Sequence, residues 1–169
     1  MAKGRFHDIV AASDEFASFN KSFYVDLSKW KAFRASVALT WQRTRFEKSN
    51  LSGIPKERGV YAFTLLLESD DLPIHGYILY MGITGDDSGS ELNKRYSQYL
   101  ADARYMSKRP KVCAMLDKWS GDLFFNFAPV PDRRVSLRKI ESSFLSAIVP
   151  PVNESDINGA VSAARKAAW

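Results

Sequence analysis

Two apolar segments of similar length, joined by a short acidic connection, most constrain the fold of this 169-residue chain. Residues 60–67 read VYAFTLLL and residues 77–84 read YILYMGIT, and both are rich in the aromatic and aliphatic residues that favour strands. The connection, residues 68–73, combines carboxylates with a proline, which is typical of an exposed turn. We therefore expect an antiparallel hairpin whose acidic connection is a solvated loop rather than a metal site.

The rest of the chain predicts an α+β domain with a small central, mostly antiparallel, three-stranded sheet flanked by helices. A third strand is expected over residues 123–130 (LFFNFAPV), and apolar spacing predicts helices over 91–103, 112–119 and 135–148. Ser90 is expected to cap the first of these helices. The alanine-rich residues 156–169 predict a closing helix. Residues 51–169 form the predicted core domain, and residues 1–50 form an extension packed on it.

The extension combines aromatic and basic residues. Ser28 is expected to cap a helix over residues 29–45, because Trp30, Phe33, Val37 and Trp41 recur at spacings of three and four. Basic residues interleave with this stripe. They either lie along a phosphate backbone or remain solvated while the aromatic stripe packs on the sheet, and the sequence leaves both possibilities open.

Charge and cysteine content narrow the class of protein. The chain has 24 Lys and Arg against 19 Asp and Glu, a net charge of +5, which favours a polyanionic partner such as nucleic acid over a basic protein without one. Its single cysteine, Cys113, excludes an intramolecular disulfide and suits a reducing compartment. No apolar run approaches the length of a membrane span, and residues 1–10 lack the apolar stretch of a secretory signal. A cytoplasmic protein without membrane contact is expected.

Five short features occur in a fixed order along the chain. They are the tripeptide GVY at residues 59–61, the tripeptide YMG at residues 80–82, then Arg95, Glu141 and Asn153. This order resembles the GIY-YIG nuclease family, whose two naming tripeptides correspond to GVY and YMG here. The resemblance extends over about one hundred residues, from the entry to the first strand to Asn153, and is specific in combination rather than in any single element.

The resemblance implies an endonuclease that hydrolyses DNA phosphodiester bonds with Mg²⁺ or Mn²⁺. Tyr61 would act as the general base on water, and Tyr80 would position the nucleophile or the phosphate. Arg95 would clamp the scissile phosphate through paired hydrogen bonds. Glu141 would hold the ion, with phosphate oxygens and waters as the other ligands. Asn153 would hydrogen-bond the phosphate or brace Tyr61.

The two tripeptides predict a shared face of the hairpin. Tyr80 and Gly82 lie two residues apart on one strand and therefore project to one face, and Tyr61 can lie beside them. Tyr77, three residues from Tyr80, is expected on the other face. A phenol has a pKa near 10, so about one part in a thousand is ionised at neutral pH, and a nearby cation would have to lower that pKa.

Some choices stay open at this point. Lys94 is the alternative to Arg95 as the phosphate ligand, and Tyr99 stands where the family often has a histidine. The length suits a stand-alone restriction-type or phage-related nuclease, and the alternative is a non-catalytic nucleic-acid-binding module on the same fold. The oligomeric state is undetermined. Weaker DNA contacts are expected from seven basic residues: Arg43, Arg45, Lys48, Lys94, Lys108, Arg109 and Lys111.

Overall fold

The computed structural model describes residues 24–68, 70–104, 109–153 and Ala163. This part of the chain has an α+β architecture, in which helices flank an antiparallel four-stranded sheet. The predicted closing helix therefore lies outside the described residues, apart from Ala163, which is helical. In chain order the elements are β1 (Tyr24–Val25), α1 (Leu27–Ala32), β2 (Gln42–Arg45), a 3₁₀ helix (Lys48–Gly53), β3 (Gly59–Leu67), β4 (His75–Thr84), α2 (Leu92–Asp102), α3 (Pro110–Lys118), β5 (Leu123–Pro129), α4 (Leu137–Ala147) and β6 (Ile148–Val149).

The sheet has the strand order β2-β5-β3-β4, with every neighbouring pair antiparallel. The three predicted strands are its last three, and the hairpin of β3 and β4 is confirmed. Tyr61 sits at the middle of this arrangement, paired with Gly82 on β4 and with Phe127 on β5. β2 adds a fourth strand beside β5, and β1 pairs separately with β6.

Alternation along the strands divides the core into two layers. One side of the sheet, called here the tyrosine face, carries Tyr61, Phe63 and Phe125, which pack against buried residues of α2 and α3. The other side, called the opposite face, carries Val60 and Met81 and packs against α4. Helices α2 and α4 therefore lie on different sides of the sheet.

The predicted helix over residues 29–45 is wrong. Helix α1 ends at Ala32, the chain then runs on without regular structure, and Gln42–Arg45 joins the sheet as β2. Asp26, not Ser28, caps α1, and its side chain accepts a hydrogen bond from the Lys29 N–H at 3.0 Å. The aromatic spacing resembled one helical stripe, but the aromatic side chains belong to segments of different conformation.

A β-bulge changes the face of the sheet to which the side chains of β4 project. The register shifts between Phe63 and Thr64, so Tyr80 pairs with Phe63, while Tyr77 pairs with Leu65. Because Phe63 and Leu65 both lie on the tyrosine face, Tyr77 and Tyr80 pack on that face together. The expectation that Tyr77 projects to the other face was wrong, since one inserted residue reverses the alternation beyond it.

Helix α2 begins differently from the prediction. Glu91 occupies the N-cap position and its side chain makes no capping bond, so Ser90 is not the cap. Instead, the first N–H groups of the helix donate to the loop before β3. Leu92 donates to the Glu57 carbonyl at 2.8 Å, and Asn93 donates to the Pro55 carbonyl at 3.1 Å. These bonds tie α2 to the segment that enters β3.

A buried ion pair fixes the start of α4. The Arg58 guanidinium, 7% exposed, pairs with Asp86 at 2.7 Å, and Asp86 also accepts hydrogen bonds from the N–H groups of Leu137 and Arg138. Burial raises the pKa of Asp86, but the two N–H groups and Arg58 outweigh burial and hold that pKa below its ordinary value. None of the described helices is long and apolar enough to cross a membrane.

Candidate active site

Tyr61 and Gly82 form the tightest contact of the site. A Cβ atom added to Gly82 would lie 2.5 Å from the Tyr61 hydroxyl oxygen and 2.7 Å from the ring carbon that bears it. Tyr61 therefore lies directly over the glycine of the second tripeptide, and only a residue without a side chain leaves room for it. Phe125 stacks on the other side of the ring, at 5.4 Å between centroids. The phenol is held in one position.

The Tyr61 hydroxyl belongs to a buried polar chain. It lies 2.9 Å from the Tyr99 hydroxyl, and either oxygen can be the donor. Arg109 donates to the Tyr99 hydroxyl at 3.4 Å, while its guanidinium lies 4.8 Å above the Tyr99 ring. Asp102 forms an ion pair with Arg109 and fixes its orientation. Two helices and the sheet thus meet around one pair of phenols.

Burial determines the protonation of Tyr61. The side chain is 2% exposed, and burial raises its pKa well above the ordinary value of 10.0. The neighbouring Tyr99 and Tyr80 raise this pKa further. The positive charge of Arg95 lowers it, but by less than burial raises it. The neutral phenol is therefore the resting form at neutral pH.

Tyr80 and Arg95 are the accessible members of the group. Tyr80 is half-buried, and its ring lies 6.3 Å from the Tyr61 ring and 6.2 Å from the Tyr99 ring. Arg95 is partly exposed and donates to the Gln98 side chain at 3.0 Å, whereas its buried Nε has no hydrogen-bond partner among the described residues. The structure brings Tyr61, Tyr80 and Arg95 together.

The position of Lys94 differs from that of Arg95. Lys94 is exposed and pairs weakly with Glu91 at 3.9 Å, one turn earlier on α2. Arg95 is close enough to the sheet for its charge to act on Tyr61. Of the two candidates for a phosphate ligand, Arg95 is the one that lies beside the tyrosines.

Glu141 lies on α4, the helix on the opposite face, and is 8% exposed. A carboxylate oxygen is a donor that Mg²⁺ accepts, and a single protein carboxylate suits an ion that keeps several waters. No group of three or more His, Cys, Asp or Glu side chains among the described residues has metal-binding geometry.

Asn153 braces the edge of β4. Its side-chain amide accepts from the Met81 N–H at 2.9 Å and donates to the Met81 carbonyl at 2.8 Å, and the residue is 1% exposed. Val152 continues the contact, since its N–H donates to the Leu79 carbonyl at 3.0 Å. Asn153 thus holds the strand between Tyr80 and Gly82, which is a positioning role.

The predicted DNA contacts fall into separate places. Arg43 and Arg45 lie on β2 and approach the Phe124 ring at 5.1 and 5.0 Å, on the opposite face from the tyrosines. Arg109 belongs to the Tyr99 chain described above. Lys48 and Lys111 are both exposed. Lys48 begins the 3₁₀ helix, and Lys111 lies in the first turn of α3. Lys108 lies outside the described residues.

The structure places Tyr99 and Arg109 in contact with the Tyr61 hydroxyl chain, which the sequence did not predict. Tyr99 is fully buried and contacts Tyr61 directly, so it belongs to the site as closely as Tyr80 does. The available signal was its position one turn after Arg95 on the same helix. The sequence carried no signal that Arg109, beyond the end of α2, would fold back onto Tyr99.

Comparison of the chain with protein-family models, with curated proteins and with solved structures gave no match.

Proposed function

We propose that this protein is a Mg²⁺- or Mn²⁺-dependent endonuclease of the GIY-YIG type, which hydrolyses DNA phosphodiester bonds at the tyrosine face. The observation that carries the proposal is that Tyr61 packs directly over Gly82 and lies close to both Tyr80 and Arg95. These are the residues of the two tripeptides and the arginine that the family resemblance selects, and they come from two strands and a helix. The restriction-type or phage-related role remains part of the proposal.

In this mechanism Arg95 binds the scissile phosphate. Arg95 is partly exposed, and a guanidinium offers paired N–H donors that match two oxygens of a phosphate. The same charge opposes the negative charge that grows on the phosphate during attack. Tyr80, half-exposed beside it, orients the phosphate or the attacking water.

Tyr61 takes the proton from the attacking water in this proposal. Because burial keeps the phenol neutral, only its small ionised fraction acts as a base, and bound cations must lower its pKa. Tyr61 is only 2% exposed, so the attacking water must enter a nearly closed site. Glu141 would hold the divalent ion from α4, which contacts β4, the strand of Tyr80, and the ion would supply charge neutralisation at the leaving oxygen.

A second candidate is a non-catalytic nucleic-acid-binding protein with the same fold. The specific observation in its favour is the Tyr61 hydroxyl itself, which is 2% exposed and already paired with Tyr99. A tyrosine in that state is also what a purely structural core contains. The basic surface would then account for the function without any chemistry at the tyrosine face.

Incubation of the purified protein with plasmid, linear duplex and single-stranded DNA separates these two functions. The nuclease should cut at least one substrate with Mg²⁺ or Mn²⁺ and none after chelation with EDTA. The binding protein would retard DNA in a gel with either treatment and leave every substrate intact. Binding without cleavage across both ions would therefore contradict the proposed activity.

A further inference from the structure

The opposite face has an open pocket with aromatic walls. Its volume is about 340 Å³, at the lower end of the roughly 300–1,000 Å³ typical of small-molecule sites. Trp30 and Phe33 form one wall and contact the Phe144 ring edge-to-face, at 5.9 and 5.8 Å between centroids. Trp41 lines the pocket as well, and the two tryptophans keep 43% and 42% of their surface exposed. Exposed aromatic surface gathered in one pocket, unlike apolar side chains scattered singly, is typical of ligand-binding grooves.

The floor of the pocket is the sheet itself, and it is partly polar. Asn126 and Thr64 lie on it beside Ala62 and Ile78. The Asn126 amide donates to the Thr64 hydroxyl at 2.8 Å and to the Ala62 carbonyl at 3.3 Å, which holds both polar groups in place. A flat ligand between the walls would meet, at the floor, apolar surface together with the Thr64 hydroxyl and the Asn126 amide oxygen.

Two arginines border the floor. Arg43 pairs with Asn126, and Arg45 pairs with Phe124 in the next row, so both side chains stand on the same face as the pocket. Their guanidinium groups lie 5.1 and 5.0 Å from the centre of the Phe124 ring. The surrounding segment, residues 27–48, contains six Lys or Arg residues and one acidic residue. The rim is therefore suited to an anion.

We infer that this pocket binds one unpaired base of single-stranded nucleic acid, with Arg43 and Arg45 on the adjoining phosphates. The flat ring of a nucleotide matches the aromatic walls, its hydrogen-bonding edge matches the polar floor, and its phosphate matches the cationic rim. Stacking of bases on aromatic side chains beside a positive groove is the usual way in which proteins hold single strands. An uncharged apolar ligand would make no use of the arginines.

This site goes beyond the proposed cleavage reaction and does not depend on it. It lies on the opposite side of the sheet from Tyr61 and Arg95, and it would serve equally a protein that binds without cutting. Its failure is therefore distinguishable from failure of the nuclease, because binding is measured in EDTA, where no metal-dependent cleavage occurs.

The test compares two labelled oligonucleotides of equal length, about 15 nucleotides, by fluorescence anisotropy. One is an oligothymidine, and the other carries the same backbone with abasic sites. Wild-type protein should bind the oligothymidine about tenfold or more tightly, since one base–aromatic contact contributes roughly a 5- to 150-fold effect. An oligouridine run in parallel shows which sugar the site accepts, and base dependence with either sugar supports the pocket.

Variants locate the effect. Trp41→Ala should remove most of the preference for bases and leave abasic binding unchanged, whereas Trp41→Phe, which keeps a ring, should retain much of it. Trp30→Ala should behave like Trp41→Ala if it melts normally. Leu72→Ala is the control, because it removes another exposed apolar side chain, 68% exposed, outside the pocket. Equal wild-type affinity for both oligonucleotides would overturn the inference, as would a parallel loss of both affinities in Trp41→Ala.

Discussion

Replacement of Tyr61 by Phe tests whether the buried phenol does chemistry. The change removes the hydroxyl and keeps the ring that stacks on Phe125. One hydrogen bond, to Tyr99 at 2.9 Å, is lost, and Tyr99 keeps a donor in Arg109 at 3.4 Å. We therefore expect a stability loss of about 1 kcal/mol, or roughly 2–4 °C in melting temperature. Loss of a general base should slow cleavage by about 10²-fold or more.

Tyr96→Phe is a matched control on the same face. Tyr96 is also fully buried, and burial raises its pKa to about 12. Its hydroxyl accepts from the Glu47 N–H at 2.9 Å and donates to the carbonyls of Glu47 at 2.8 Å and Arg45 at 3.3 Å, so the variant loses more hydrogen bonds than Tyr61→Phe does. It should therefore melt at least as low as Tyr61→Phe, yet cut DNA at nearly the wild-type rate.

The assay measures single-turnover cleavage and thermal melting for both variants. Because only the ionised phenol acts as a base, the wild-type rate should rise about tenfold per pH unit until pH reaches the pKa that Tyr61 has in the complex with metal and DNA. The Tyr61→Phe variant should lose this dependence. Equal cleavage rates for the two variants, or an unchanged pH profile in Tyr61→Phe, would refute the general-base role.

Four further substitutions probe the site and the start of α4. Gly82→Ala puts a methyl group 2.5 Å from the Tyr61 hydroxyl, so calorimetry should show a loss of about 1–3 kcal/mol and cleavage should fall with it; normal melting would refute the close contact. Arg95→Ala should weaken cleavage far more than Lys94→Ala, and equal rates would mean that neither side chain alone binds the phosphate. Asp86→Asn should destabilise the fold by at least about 1 kcal/mol at pH 7. Folding lowers the pKa of Asp86, so its stabilisation is present above the unfolded-state pKa near 3.9 and is lost as pH falls through the folded-state pKa. The melting temperatures of wild type and Asp86→Asn should therefore converge in acid. A difference that persists there would contradict a lowered pKa.

Local patterns were enough to predict most of the architecture. The apolar runs of β3, β4 and β5 and the amphipathic spacing of α2, α3 and α4 depend on neighbours within a few residues, so their existence could be read directly. β2 could not, because its sequence QRTR is polar and short, and it becomes a strand only through pairing with β5. The aromatic spacing before it then favoured a helix that the chain does not form.

The site was predicted in its members but not in its connections. The two tripeptides and Arg95 were selected in advance, and the structure brings them together. Their roles remain predictions. The bulge that turns Tyr77 onto the tyrosine face, the Tyr61–Tyr99 hydrogen bond and the Asn153 brace on Met81 all join residues far apart in sequence. Such contacts depend on the register of the whole sheet, which no local pattern specifies.

The most direct test of the central claim is a Mg²⁺ titration of DNA cleavage by wild type and by Glu141→Gln. The substitution keeps the size of the side chain and removes the charge that would hold the ion. Glu57→Gln, at an exposed position before β3, is the matched control. With folding and DNA binding verified for each protein, we predict metal-dependent cleavage by wild type and the control and none by Glu141→Gln at any ion concentration. Robust cleavage by Glu141→Gln across the titration, or no metal-dependent cleavage by wild type, would contradict the account.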